Sequence, residues 1–482
     1  MLLKRNDSIN SNYDVIVIGG GLGGLTAANI LGKNGHKVLL TEAHNKLGGF
    51  ATWFYRDQKK HIFDVSLHGF PYGMVKTCRK YWGKDIANDI VQLKGVRFVN
   101  PDYEISSTFT REDFTDKLIN HFKIKKETVE SFFEYLFNMN FYDDNEMTNG
   151  QLFEKFFPGR NDIVRFLMEP IVYANGSTLE DPAITYGIVF GNFMRKGVYT
   201  FVGGTDGLIH KMKQELLNNN VDIKLNTKVD EVLIENKKVA GIRLKDLVIK
   251  SPVVLSNANI KATVLKLCGE EHFSSEFIEQ TKKIRLNTSS CQVYMGIKPG
   301  EKLDFVGDLI FTSSDKVFTT ENLLKPDTTC RTFSVYYPEG RPNTNMYSIV
   351  SSTNARWEDW FNLSDQEYED QKQKLIDDTL ECIENFIPNV KSKISHIEAA
   401  TPLTIKKFTH HPHGTSFGTK FEGLDVSMSL NKQIEGLYHT GSVGIIMSGW
   451  LGAANYGAIQ SNEIDSYLYQ LNQSKEHGDA NV

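Results

Sequence analysis

The chain has 482 residues, 40% of them hydrophobic and 23% charged, and a formal net charge of −5. It is too long for one ordinary core, and its composition is that of a globular protein rather than a disordered or fibrous one. The small net charge, with no basic tract interleaved with aromatics, excludes a general electrostatic role on nucleic acid. Cys78, Cys268, Cys291, Cys330 and Cys382 are odd in number and never in CxxC spacing, so reduced thiols are expected and no metal site. Met1 to Asn12 is polar and lacks the apolar core of a secretory signal, which points to a cytoplasmic protein. Thr440 to Asn462 carries no charge, but its glycines and Ser442, Ser448, Asn455 and Gln460 suit a buried strand-turn-helix better than a membrane span.

Tyr13 to Ile18 reads as a buried parallel strand, followed by the glycine run 19–24 and a small-residue helix from Leu25 to Lys33. Lys37 to Leu40 begins a second strand, so strand, turn, helix and strand fit a right-handed βαβ crossover. From Ile105 to Val198 the pattern turns to aromatic-rich helices, including Val129 to Phe141. After Gly203 it returns to α/β alternation, with a helix over Leu208 to Leu217 and a strand over Val221 to Leu225. Lys228 to Glu235 and Lys238 to Leu244 read as a hairpin, and Pro252 to Ser256 as a buried strand. Cys291 to Ile297, Phe333 to Tyr337 and Met346 to Ser351 suggest a β-rich section, followed by an amphipathic helix over Asp365 to Phe386. Gly436 to Leu471 reads as strand, glycine turn and long helix. The expected fold is therefore α/β: a discontinuous Rossmann-type domain from 13–104, 199–288 and 420–472, with an inserted α+β substrate domain. The helical part of the insertion is 105–198 and the β-rich part 289–419.

Gly19, Gly21 and Gly24 satisfy GxGxxG between strand and helix, and Gly23 stands within the same turn. The first glycine permits the turn, the second the approach of a pyrophosphate, and the third close helix–strand packing. Glu42 ends the second strand, where its carboxylate can take ribose hydroxyls and disfavours a 2′-phosphate. The second pair, Gly48-Gly49, lets backbone approach a longer diphosphate and ribityl chain.

From Asp14 through Gly49 the sequence resembles the FAD fingerprint of amine-oxidase-like flavoproteins. Phe201 to Gly207 resembles that superfamily's substrate-proximal glycine turn. Thr227-Lys228-Val229 resembles its adenine-contacting strand, and Val253 to Asn259 its return strand. Leu437 to Gly441, then Gly449 to Ala454, resembles the closing flavin motif. Phe63-Asp64-Val65, Ala400 to Thr404 and the Gly414 to Gly418 turn narrow the resemblance to phytoene desaturases, carotenoid isomerases and retinol saturases. It covers Tyr13 to about Leu471. Ser442 departs from it, standing where many members have an acid. The run Val443 to Ser448 also departs, lacking the proline-and-glycine turn of the desaturases.

The resemblance implies FAD held by Gly19, Gly21, Gly23, Gly24, Glu42, Ala43, Gly48, Gly49, Val229, Gly441, Ser442, Gly452 and Ala453. It also implies an apolar tunnel, with Val129 to Phe141 and Ile184 to Phe201 as candidate walls. His68 is a candidate proton donor or acceptor, or a structural histidine bonding a backbone carbonyl. His410, His411 and His413 read as a polar loop rather than a metal site, with His413 a second catalytic candidate. Saturation or desaturation of a long polyene is the leading expectation, and flavin-dependent cis-trans isomerisation the first alternative. An amine oxidase is a further one, although Trp450 and Tyr456 make a poor aromatic pair. A non-catalytic flavin scaffold is the last. A lipid substrate implies possible peripheral attachment to a membrane surface; oligomeric state is left open.

Overall fold

The computed structural model describes residues 9–139, 146–342 and 344–479. Met1 to Ser8 of the polar N-terminus, and Asn140 and Phe141 of the aromatic segment, lie outside the described residues. Val15–Ile18, a four-residue apolar run buried on both faces, is the middle strand of a five-stranded parallel sheet. Its neighbours are Val38–Thr41 and Val253–Ser256, and the outer strands are Asp222–Lys224 and Leu437–His439. Strands from the beginning, middle and end of the sequence thus form one Rossmann-type sheet.

The first helix starts earlier than expected, at Leu22, because the glycine run itself enters the helix. It packs along the final helix, Gly449–Asp479, so closely that a Cβ on Gly457 would lie 2.1 Å from the Gly23 carbonyl oxygen. The hairpin expected near Asn236-Lys237 is present as Glu231–Glu235 and Lys238–Leu244, with both turn residues at positive φ. No described helix is long and apolar enough to cross a membrane.

The inserted part is built on a seven-stranded sheet. In spatial order its strands are Ile394–Ala400, Ser289–Ile297, Ser348–Ala355, Cys330–Tyr336, Leu309–Ser313, Val96–Val99 and Glu104–Ser107. The expected domain boundary at residue 104 therefore falls inside a hairpin of this sheet. Period-two alternation assigns its two faces. Cys291, Val293 and Met295 pack with Phe333, Ile349 and the helix Asp365–Glu384. Ser290, Gln292 and Tyr294 face the other way, onto the cavity, where Ser290 bonds Ser416, Gln292 donates to the Val65 carbonyl and Tyr294 packs on Phe54 and Phe63. These polar residues are buried although they alternate like a solvent-facing set, because that face borders an internal cavity.

The two parts are pinned together by a buried ion network. Asp64 Oδ1 accepts bonds from Thr205 N–H at 2.8 Å and Arg341 Nη2 at 2.6 Å, and Arg341 Nη1 reaches Asp206 at 2.6 Å. Gly204 sits at φ +69, where a Cβ would lie 2.0 Å from Arg341 Nη2. The glycine turn of Phe201 to Gly207, likened to a substrate-proximal element, therefore packs on this network, and neither Gly203 nor Gly204 lines the cavity.

Candidate active site

At the carboxyl edge of the parallel sheet the two glycine turns form one cradle. Gly48 N–H donates to the Gly20 carbonyl at 2.7 Å, and a Cβ on Gly49 would lie 3.1 Å from Gly21 Cα. Glu42 braces both turns: Oε2 accepts Gly20 N–H at 2.8 Å and Oε1 accepts His44 N–H at 2.7 Å. Its remaining lone pairs face the cavity and are available to sugar hydroxyls.

Asn257, on the return strand, is the piece the sequence reading passed over. Its side chain donates to the Gly19 carbonyl at 3.2 Å. Cβ atoms on Gly21, Gly24 and Gly441 would come within 2.8, 3.2 and 2.7 Å of it. The Ser-Asn-Ala-Asn run was legible only as a strand end; its contacts need the fold.

Every residue expected to hold the cofactor lines this cavity except Gly24. A Cβ on Gly24 would lie 2.1 Å from the Gly19 carbonyl oxygen, so its role is helix–strand packing rather than contact. Val229 turns its side chain into a core cluster, which leaves its backbone for the cavity. Gly441 (φ +109) leads Ser442 to the wall, and the helix from Gly449 presents its N-terminal end with Trp450, Leu451, Gly452 and Ala453. The positive end of that helix dipole favours negative charge. Residues that a single added carbon would close off, around an opening of this shape, fit FAD.

The cavity measures 1760 Å³ and continues into the insertion. Pockets that hold one small ligand measure about 300–1,000 Å³, so there is room for a dinucleotide and a second molecule. Its floor is a row of directly paired residues, Ala400, Gln292, Ser352, Thr332 and Phe311, one from each of five adjacent strands. Four inter-strand steps make the row roughly 19 Å long. Ile171, Ala174, Ile188, Val189 and Phe193 form the roof. The tunnel expectation is met by 188–198 together with 170–175. Val129 to Met139 departs from it: Phe132 and Phe133 are fully buried in the helical core and do not reach the cavity.

His68 lies beside the row, bridging the strands that carry Gln292 and Ser334. Its Nδ1 is 2.9 Å from Ser334 Oγ, and its Nε2 is 3.3 Å from the Gln292 amide nitrogen, which also donates to the Val65 carbonyl at 2.9 Å. Because Gln292 donates, Nε2 accepts and Nδ1 carries the proton. Burial lowers the His68 pKa to about 4, so the ring is neutral. His413 sits at the rim with its side chain 55% exposed, stacked on Trp357 at 5.7 Å. His411 is the half-buried member of the trio, with Nδ1 3.0 Å from the Thr415 carbonyl oxygen. No cluster able to hold a metal occurs among the described residues. Trp450 stacks on Phe70 at 5.3 Å and donates to Ser66, while the Tyr456 hydroxyl is buried against Ser427. The two form no aromatic pair.

Fold and cradle together define an FAD-dependent oxidoreductase built on a Rossmann-like domain. Residues 17–78 match the family described as NAD(P)-binding Rossmann-like domain. Over nearly its whole length the chain is homologous to polyene-named enzymes. It is 24% identical to a chloroplastic prolycopene isomerase of Daucus carota, covering 95% of this chain and 80% of the relative. It is 20% identical to an all-trans-retinol 13,14-reductase of Danio rerio, covering 95% and 86%. A Danio rerio protein named as an inactive form of that reductase is 22% identical, covering 95% and 87%. Identity to a 1-hydroxycarotenoid 3,4-desaturase of a Flavobacterium is 23%, covering 88% and 93%. A solved oxidoreductase of Methanosarcina mazei shares the fold at TM-score 0.66 and 15% identity, covering 93% of this chain and 99% of that one.

Proposed function

We propose that the protein uses FAD to saturate or desaturate carbon–carbon double bonds of a long apolar polyene, such as a carotenoid, a retinoid or a polyunsaturated lipid. The observation that carries this reading is the continuity of the cradle with the roughly 19 Å row. A small polar amine needs no such length. FAD, when bound, supplies hydride acceptance or donation. The chain binds the polyene between sheet and helices, excludes water and holds the reacting bond at the cradle end. We assign His68 to holding Gln292 and Ser334 in place, since both its nitrogens are engaged. His413, exposed at the rim, is assigned to entry rather than to proton transfer.

Isomerisation without net redox is the second reading. It is supported by His68: a neutral ring with no free nitrogen is a poor proton source, and isomerisation consumes no net proton. Anaerobic incubation of reduced, flavin-loaded protein with polyenes separates the cases by product mass. A gain of two hydrogens is expected for saturation, and unchanged mass with altered geometry for isomerisation; oxidised protein is assayed for loss of two. Peroxide release with amines and no polyene turnover would overturn the proposal.

Lys46, Arg56, Lys406, Lys407 and the 54%-exposed Phe408 at the rim support peripheral attachment of a cytoplasmic protein to an anionic lipid surface. Co-sedimentation with anionic but not neutral liposomes is the expected result. The sheets also support the proposed domain division, with its first boundary drawn back to about residue 95.

A further inference from the structure

The walls of the corridor are not those of a hydrocarbon sleeve. Asn192, on the helix Ala183–Met194, lines it among Ile188, Val189 and Phe193, and its carboxamide has no hydrogen-bond partner among the described residues. From the floor, Ser352 occupies the centre of the five-residue row. Its backbone is paired in the sheet and its carbonyl also accepts the Thr332 hydroxyl at 3.3 Å, while its own hydroxyl is unengaged among the described residues. Thr332 beside it thus turns its polarity into the sheet, while Ser352 keeps a free hydroxyl.

A third group stands close by. The Asn354 amide, two residues along the same strand, donates to the Val172 carbonyl at 3.0 Å and pins the end of the helix Asn161–Asn175 above the floor. That brings Asn175, a cavity-lining residue only 2% exposed, to the same stretch of wall, and its Nδ2 is buried without a partner. An unmet buried polar group costs about 1–3 kcal/mol, so the Asn175 amide, sharing the cavity with the half-buried and unengaged side chains of Asn192 and Ser352, calls for a partner.

We propose that this stretch is a recognition station for an oxygen-bearing group of the substrate, with Ser352 and Asn192 bonding a hydroxyl or carbonyl from opposite walls. The polyene substrate is then an alcohol, aldehyde or ketone rather than a pure hydrocarbon. Both side chains donate and accept, so they serve either oxygen type. Fixing that oxygen at mid-row sets which double bond reaches the cradle end. This rests on the polyene reading of the site and narrows it.

The test measures dissociation constants, by quenching of protein fluorescence, for three polyenes that share one carbon skeleton. All-trans-retinol, all-trans-retinal and the hydrocarbon axerophthene are titrated into the flavin-loaded protein. At least one oxygenated ligand is expected to bind about tenfold tighter than the hydrocarbon, and comparison of alcohol with aldehyde identifies the oxygen type. Asn192→Leu and Ser352→Ala are each expected to shrink that advantage to about twofold or less, the readout being the ratio of oxygenated to hydrocarbon affinity within each variant, with flavin content unchanged. The smaller Ser352→Ala change keeps the test valid if Asn192→Leu folds poorly. Equal affinity of the unaltered protein for all three ligands overturns the station alone, as does an advantage that survives both substitutions. Binding of none of them, with flavin in place, overturns the polyene reading and the station with it.

Discussion

The cradle at the parallel sheet is built of backbone, with glycines at Gly19, Gly21, Gly48, Gly49 and Gly441 and few side chains beyond Glu42 and Asn257. The corridor leading from it is built of side chains, one from each of five strands on the floor and a row of aliphatic and aromatic groups on the roof. A backbone site has little slack, because an added carbon meets main-chain atoms, as at Gly48 and Gly49, or the hydrogen-bonded Asn257 side chain, as at Gly21 and Gly441. A side-chain site can re-pack. Cofactor binding is thus expected to fail abruptly on substitution, and substrate choice to shift by degrees.

The sharpest test is Gly24→Val, whose branched side chain is driven into the Gly19 carbonyl. The expected outcome is complete loss of the visible flavin band in the purified protein. Next in size is Asp64→Asn, which leaves the buried Arg341 guanidinium without its full counter-charge. Breaking one partner of a buried pair costs about 3–5 kcal/mol, readable as a lowered denaturant midpoint. Its effect on flavin content is secondary, because the network lies outside the cavity.

A pH-dependent effect comes from the helix that roofs the corridor. Glu169 is 2% exposed, and burial raises its pKa from 4.5 to about 7 against the opposing pull of Arg165; Asp315 pushes the same way as burial. Tyr103, Tyr173, Cys330 and Asp102 complete its charged and titratable surroundings. The folded protein keeps a proton that the unfolded chain releases. The stability this gives is present below about pH 4.5 and lost as pH rises through about 7. Glu169→Gln has no proton to lose, so it should gain on the unaltered protein by about 3 kcal/mol across that window in denaturant titrations. A gap independent of pH would place the charge elsewhere.

Ala174→Leu narrows the corridor without touching the cradle. Flavin content is expected to stay full while polyene affinity falls about tenfold, measured by the same fluorescence titration. Loss of flavin in this variant would break the contrast between the two regions. Smallest is Ser66→Ala, which removes the 3.1 Å bond from Trp450 and the 2.7 Å bond to the Phe50 carbonyl and is expected to cost about 1–2 kcal/mol in thermal or chemical melts.

The same contrast explains what the sequence made legible. Glycine spacing, Glu42 and the flanking β-branched strand are local in the chain, so the cradle could be read without the fold. The corridor has no local signature. Ala400, Gln292, Ser352, Thr332 and Phe311 become neighbours only through strand pairing, and their alternation looks like ordinary half-exposed strands. Val129 to Met139 looked like a tunnel wall because aromatic helices read alike whether they face a cavity or a core. His68 was found by its position, but its bonds to Gln292 and Ser334 cross more than two hundred positions of sequence.

Because the floor runs across strands rather than along one, the corridor works as a ruler graduated in strand spacings. A bulky residue in place of Thr332 would end it one step of about 4.8 Å sooner, and one in place of Ser352 two steps sooner. Substrate length is therefore adjustable by single substitutions at fixed increments, with the reacting end left where it is.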